Sequence, residues 1–361
     1  MPREPIITAQ NSKQEPDADF PQPVQPLPEL TEEEKTLRPK RLSDMVGQCE
    51  VFERLMISIK AAKKRGETLS HILFDGPPGL GKTTFATCIP KELGVPVQIG
   101  NGATLKSPKD VLPYLTNAEE GSVLFIDEIH RMQKTVEEFL YPAMEDFRVD
   151  LTLGEGVSAR TLNIQLKHFT LIGATTRTGL ISSPLRDRFP IREHLDFYSI
   201  DELATIVRRN AVKLEIKIDD DAAAEIASRS RGTPRLANNR LRWVRDFADA
   251  KGSKTITYKV AVDALAMQGI DELGLDQQDK KYLRTILELH HGGPVGVESI
   301  AHTLNIATDT LTDEVEPFLL RSELLIRTPK GRCLTEKGFA HLGANPEDYR
   351  GQFVYGLLNC R

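Results

Sequence analysis

The octapeptide Gly76-Pro-Pro-Gly-Leu-Gly-Lys82-Thr83 fits the pattern G-x-x-x-x-G-K-[ST] and stands between an apolar run, His71-Ile-Leu-Phe74, and a stretch with helical spacing. That context constrains the fold more than any other feature of the chain. A glycine-rich turn between a buried strand and a helix wraps backbone N–H groups around a phosphate, and the helix N-terminus adds the positive end of its dipole. Gly79 and Gly81 shape the turn, Lys82 neutralises the outer phosphate oxygens, and Thr83, followed by Thr84, offers a hydroxyl to a magnesium ion. Further on, Val123-Leu-Phe-Ile126 ends in Asp127-Glu128, which puts two carboxylates at the C-terminal end of a buried strand, where open α/β sheets bind ligands. Asp127 suits the hydrated magnesium, and Glu128 suits the orientation or deprotonation of an attacking water, so the pair favours hydrolysis of the bound nucleotide over mere binding.

Around this motif apolar strands alternate with helices. An amphipathic run from Glu50 to Lys64 precedes the first strand, and Phe169-Thr-Leu-Ile-Gly173 reads as a third. Buried strands alternating with helices imply a parallel α/β sheet. After Pro190 the pattern turns helical, with Ile200 to Asn210 and Asp221 to Arg229. Beyond Gly269 short helices lead to a hairpin around Pro329-Lys-Gly331, flanked by Leu324-Leu-Ile326 and Cys333-Leu334. The predicted fold is therefore an α/β P-loop domain with a parallel sheet, a small helical lid and a C-terminal winged helix. We divide the chain at 1–35, 36–196, 197–268, 269–345 and a tail of 346–361.

Charge sharpens this division. The 361 residues carry a net charge of −5, and the first 35 alone hold eight acids against three bases, with seven of the 22 prolines. So few apolar anchors do not offset the entropy of ordering, which predicts a disordered extension. The rest is neutral overall, so a nucleic-acid surface has to be a local patch. One candidate is the C-terminal hairpin, where Arg321, Arg327, Lys330, Arg332 and Lys337 outweigh Glu323 and Glu336. No apolar run is long enough for a membrane span, and the four cysteines are too scattered for a disulfide framework or a zinc site. A cytoplasmic protein without membrane contact is the expectation.

Further strings narrow the class: Leu37-Arg-Pro39, Asp127-Glu-Ile-His130, Leu140-Tyr-Pro-Ala-Met-Glu-Asp146, Thr170-Leu-Ile-Gly-Ala-Thr-Thr176, Ser183-Pro-Leu-Arg-Asp-Arg-Phe189 and Arg231-Gly-Thr-Pro-Arg235. Together, over about residues 36 to 345, they resemble the RuvB family of AAA+ motors of bacterial Holliday-junction branch migration. The resemblance implies Thr175 as a γ-phosphate sensor, Arg188 as an arginine finger inserted by a neighbouring subunit, and Arg235, in the first turn of a lid helix, as a second sensor. It further implies that Leu37, Arg38 and Tyr198 belong to the adenine pocket, and that Glu145, Asp146 and Phe147 contact nucleotide. ATP and Mg²⁺ are the implied cofactors. Duplex DNA is the implied substrate, met at Arg327 and Arg332, in a homohexamer acting with RuvA and the resolvase RuvC in recombination and repair.

Residues 149–166 read as a β-hairpin whose apolar face, on the residues alone, packs on the core. The resemblance instead implies an exposed hairpin that docks RuvA. Two rival functions stay in view, a clamp-loader-like DNA switch and an ATP-gated scaffold without DNA contact. Three positions depart from the family pattern: Asp75 before the P-loop, Pro90 in the following helix, and Asn238-Asn239 after the second sensor.

Overall fold

A computed structural model of the chain describes residues 31–153 and 160–350. Along the P-loop domain run β1 (Ile72–Asp75), β2 (Val97–Asn101), β3 (Val123–Asp127), β4 (Arg148–Leu153), β5 (Arg160–Gln165), β6 (Thr170–Thr175) and β7 (Ile191–His194). Five of them form one parallel sheet in the order β2-β3-β6-β1-β7, while β4 and β5 pair only with each other as an antiparallel hairpin. The three central strands are the apolar runs visible in the sequence, and β6 is buried along its whole length. The edge strands β2 and β7 are shorter on apolar residues and carry no run that announces them. In β7, Glu193 is buried and makes a forked contact with the Arg54 guanidinium, whose Nη2 lies 2.6 Å from its carboxylate.

The P-loop helix spans Lys82–Leu93 and buries Phe85, Ala86 and Ile89 on the sheet, with Phe85 stacked on Phe74 at 5.7 Å. Pro90 sits in its last turn and does not end it. The helix stops at Gly94, whose left-handed backbone closes the C-terminus. The amphipathic run predicted from Glu50 to Lys64 is the helix Cys49–Arg65.

The lid holds the helices Ile200–Lys213, Asp220–Ser228, Pro234–Ala250 and Tyr258–Met267, with β8 (Lys217–Ile218) and β9 (Thr255–Ile256) as a two-residue parallel pair. Ser199 starts the first helix through a capping box with Glu202. Alanines at 222, 223, 227, 237, 261 and 264 let the helices approach closely around Leu203, Val207, Ile226, Leu241 and Val244. Trp243 packs against this core and donates its indole N–H to the Ala264 carbonyl. The lid core is continuous with the P-loop side of the sheet, so the two lobes share one apolar interior.

The third domain has its own core, with Tyr282, Leu283, Ile286, Ile300, Leu311, Leu319 and Phe339. Helices Gln277–His290 and Val297–Leu304, a one-turn π-helix Leu311–Val315 and helix Glu316–Arg321 precede β10 (Leu325–Thr328) and β11 (Gly331–Leu334), which form the wing. Arg321 bridges to the lid, stacking on Phe197 at 3.7 Å and donating to the Arg231 carbonyl.

One expectation is corrected here. Residues 32–35 belong to the helix Glu32–Leu37, not to a disordered segment; Thr31 caps it through a capping box with Glu34, and Glu34 meets Arg242 of the lid. Residues 1–30, 351–361 and the hairpin tip 154–159 lie outside the described residues. Among the described residues no helix is long and apolar enough to cross a membrane.

Leu241 is fully buried in the shared core. We expect Leu241→Ala to cost about 2–5 kcal/mol, with lid and P-loop domain losing stability together in a lowered thermal transition. A lid that melts separately from the sheet domain would contradict the continuity.

Candidate functional site

The strand order decides the site. Because β6 lies between β3 and β1, the P-loop after β1, the acidic pair after β3 and the loop after β6 open at neighbouring strand ends. The lid closes over them, and a cavity of about 640 Å³ lies between the two lobes. Its walls include Gly79, Gly81, Lys82, Thr83 and Thr84 from the P-loop, Leu37 and Arg38 from the N-terminal segment, and Tyr198 and Arg235 from the lid.

Gly79 lets the lid touch the P-loop. Its φ is +78°, and a Cβ there would come within 2.7 Å of the Thr233 methyl and 3.1 Å of the Arg235 Cβ. Pro234 stands in the first turn of its helix, as expected, and Arg235 follows it into the cavity. Tyr198 donates its hydroxyl to the Leu80 carbonyl at 3.1 Å, a second tie between lid and loop.

Lys82 is buried, and its ammonium donates to the carbonyls of Gly76 at 2.7 Å and Pro77 at 2.8 Å. Burial holds it down at about 8, against the pull of Asp127 and Glu128. Thr83 donates its hydroxyl to Asp127 at 2.9 Å, so the hydroxyl and carboxylate suited to a hydrated magnesium ion already stand together. Asp127 also accepts the Glu128 N–H. Glu128 has a φ of +50°, a left-handed backbone at a non-glycine residue, and burial together with Asp127 pushes its carboxyl above the usual range. Gly102 makes this turn possible, since a Cβ there would lie 2.3 Å from the Glu128 carbonyl oxygen.

Thr175 is placed differently from expectation. It is fully buried, its hydroxyl meets His130 Nδ1 at 2.9 Å and accepts the Arg177 N–H at 3.0 Å, and Thr176 lines the cavity in its place. Thr175 is the last residue of β6 and Thr176 the first of the loop that follows, and of the two it is Thr176 that forms part of the cavity wall. The sequence pair Thr175-Thr176 shows that a hydroxyl is there but not which one.

Glu145, Asp146, Phe147 and Arg188 do not line this cavity. Arg188 lies over the Tyr141 ring at 4.3 Å and donates to Glu145 at 3.0 Å; Asp146 pairs with Arg148, and Phe147 stacks on His168 at 4.2 Å. The chain's own cavity therefore does not include the stretch Glu145–Phe147 that the resemblance implies as a nucleotide contact. These residues end the helix Lys134–Glu145 and share a patch with Arg188, away from their own P-loop.

Other cavity residues escaped the sequence reading: Arg209 and Lys213 in one helix, and Asn238, Asn239 and Arg242 in another. The i, i+4 spacing of Arg209 and Lys213 was an available signal. Asp75 accepts from Thr178 at 3.1 Å and contacts His194 at 3.0 Å, tying β1 to the loop after β6 and to β7. On the wing, Arg327 and Arg332 both hold the fully buried carboxylate of Glu316, and the Arg332 side chain keeps only 19% of its exposure. In the hairpin, Val149 is buried while Leu162 is 47% exposed, so its apolar face packs at the root and opens outward.

Profiles of three families cover the chain in this same order: the Holliday junction DNA helicase RuvB P-loop domain over residues 37–195, the RuvB AAA lid domain over 198–271 and the RuvB C-terminal winged helix domain over 272–343. The chain belongs to the RuvB family. It is 62% identical over 307 residues to the Holliday junction branch migration complex subunit RuvB of Rhodopirellula baltica, covering 85% of this chain and 84% of that one. The subunit of the same name from Kosmotoga olearia is 50% identical, with coverage of 86% and 90%. The solved RuvB Holliday junction branch migration motor of Thermotoga maritima superposes with a TM-score of 0.79 at 44% identity, over 86% of this chain and 99% of that one. The expected P-loop, lid and winged-helix architecture is the architecture of this RuvB family member.

Bound phosphates raise the Lys82 pKa, so above a pH of about 8 the free protein must take up a proton to bind nucleotide. We expect ATP affinity to weaken as pH rises past that point. Calorimetry in buffers of different ionisation enthalpy should show proton uptake, and pH-independent binding with no uptake would contradict the assignment.

Proposed function

We propose that the chain is the ATP-hydrolysing motor subunit of Holliday-junction branch migration, working in the cytoplasm as a homohexamer with RuvA and RuvC. The observation that carries this reading is a nucleotide-sized cavity on the seam of a shared lid and P-loop core, in a RuvB-family chain that ends in a winged helix. Residues 36–196 supply the P-loop site, 197–268 the lid, and 269–345 the head that meets duplex DNA. Mg²⁺ fits the adjacent Thr83 hydroxyl and Asp127 carboxylate, and when bound it would screen charge between the outer phosphates.

In this reading Lys82 leaves the two P-loop carbonyls to take the phosphates, with the N–H groups at the start of its helix. Leu37, Arg38 and Tyr198 wall the base side, and Arg235 reports occupancy to the lid helix. Glu128 orients or deprotonates the water. Thr176 presents the sensing hydroxyl, and Thr175 acts behind it. Arg188, with Glu145, Asp146 and Phe147, faces a neighbouring copy's nucleotide, where a guanidinium stabilises developing transition-state charge. Hydrolysis then moves lid against sheet domain and carries the heads along the duplex. Arg327 is the more available DNA contact; Arg332 reaches a phosphate only by leaving Glu316. The outward end of the 149–166 hairpin suits RuvA. A clamp-loader-like switch is less favoured, because a winged-helix head follows the lid.

We expect Glu128→Gln to bind nucleotide with near-native affinity while losing about a hundredfold or more in hydrolysis. In a four-way junction assay with ATP and RuvA, Lys82→Ala should be inactive. Junction migration by Lys82→Ala would overturn the motor reading.

A further inference from the structure

The loop after β6 does more than display Thr176. Behind it runs a chain of contacts that begins at the hydrolytic carboxylate and ends in the winged-helix domain. His130 Nε2 lies 3.4 Å from Glu128 Oε2, and His130 Nδ1 lies 2.9 Å from the Thr175 hydroxyl, which accepts the Arg177 N–H. The direction of the network assigns the tautomer: a proton on Nε2 faces the carboxylate, and the Thr175 hydroxyl donates to Nδ1. The opposite tautomer would set two acceptors against each other.

Arg177 is the link to the third domain. Its Nε meets both oxygens of Asp313, at 3.0 and 2.9 Å, and its Nη2 reaches Asp313 at 2.6 Å and Asp309 at 2.9 Å. A forked, half-buried contact of this kind fixes the guanidinium in orientation as well as position. Asp309 lies on the short helix Thr308–Thr310 and Asp313 on the π-turn Leu311–Val315, whose Leu311 and Val315 are anchored in the winged-helix core. The next residue, Glu316, holds Arg327 and Arg332 of the wing. A π-turn is a strained, adjustable element, suited to a joint that shifts.

We propose that Arg177 is a positioning residue: held by Asp309 and Asp313 of the winged-helix domain, it fixes the Thr175–His130 pair that orients Glu128, so that the attitude of the head sets the rate of hydrolysis. Arg177 does not line the cavity and acts through Thr175 and His130. The inference rests on the hydrolytic role of Glu128 and deepens it, by making the head an input to the chemistry and not only an output of it. The state of Glu316 is the route by which the wing's engagement reaches the π-turn.

The test is steady-state ATP hydrolysis by the full-length protein without DNA, with ADP affinity measured in parallel. We expect Arg177→Ala and Asp313→Asn each to lower kcat by about tenfold or more while KM and ADP affinity stay near native, the mark of lost positioning. The paired exchange Arg177→Asp with Asp313→Arg should recover much of the loss. A native kcat in Arg177→Ala would overturn the proposal. So would a parallel fall in nucleotide affinity, or an exchange no better than the single variants. Omitting DNA keeps this result separate from the motor reading, whose failure shows in junction migration and not in basal kcat.

Discussion

The nucleotide site depends on one contact, the seating of the lid helix Pro234–Ala250 directly on the P-loop backbone at Gly79. The Arg235 N–H approaches the Gly79 carbonyl at 3.4 Å, and no side chain larger than hydrogen fits at residue 79 without displacing Thr233 and Arg235. This closeness joins the lid core to the sheet core and leaves the cavity as the remaining gap between them. Lys82, desolvated and turned onto two carbonyls, is poised for an anion, since burial holds its ammonium below the ordinary range despite the pull of Asp127 and Glu128, and bound phosphates would offset that cost.

The sheet topology supplies the second constraint. With β6 between β1 and β3, the loop that follows it has to pass between the P-loop and the acidic pair. Thr176 lines the cavity while Thr175 meets His130. Two residues on, Arg177 leaves the domain altogether and grips the winged-helix head. The cavity wall, the His130 contact and the grip on the head therefore meet within a few residues of one strand end.

Much of this was legible in the sequence, for physical reasons. The P-loop, its helix and the strands β1, β3 and β6 are apolar runs with unambiguous boundaries, and the lid helices carry strong periodicity. The edge strands β2 and β7 were not read, because Val97–Asn101 includes a glycine and Ile191–His194 is mostly polar, with Glu193 buried only by virtue of distant Arg54. Local motifs also do not say which way a side chain points or which copy it serves. Thr175 ends the strand and turns inward while Thr176 opens the loop and lines the cavity, Glu145 meets Arg188 off the chain's own cavity, and Arg332 proves to be drawn inward by Glu316. Contacts between domains, such as Arg177 with Asp313, leave no trace in spacing.

Arg188 rests on Tyr141 and Glu145, off its own cavity, and this placement is what supports the proposal of a catalytic site built jointly by two copies. Mixing Lys82→Ala with Arg188→Ala protein measures that directly. Each variant alone should be nearly inactive as an ATPase, while their mixture should regain hydrolysis, because an intact finger from the first completes an intact P-loop of the second. A mixture as inactive as its components, or native hydrolysis by Arg188→Ala alone, would contradict a site shared between subunits.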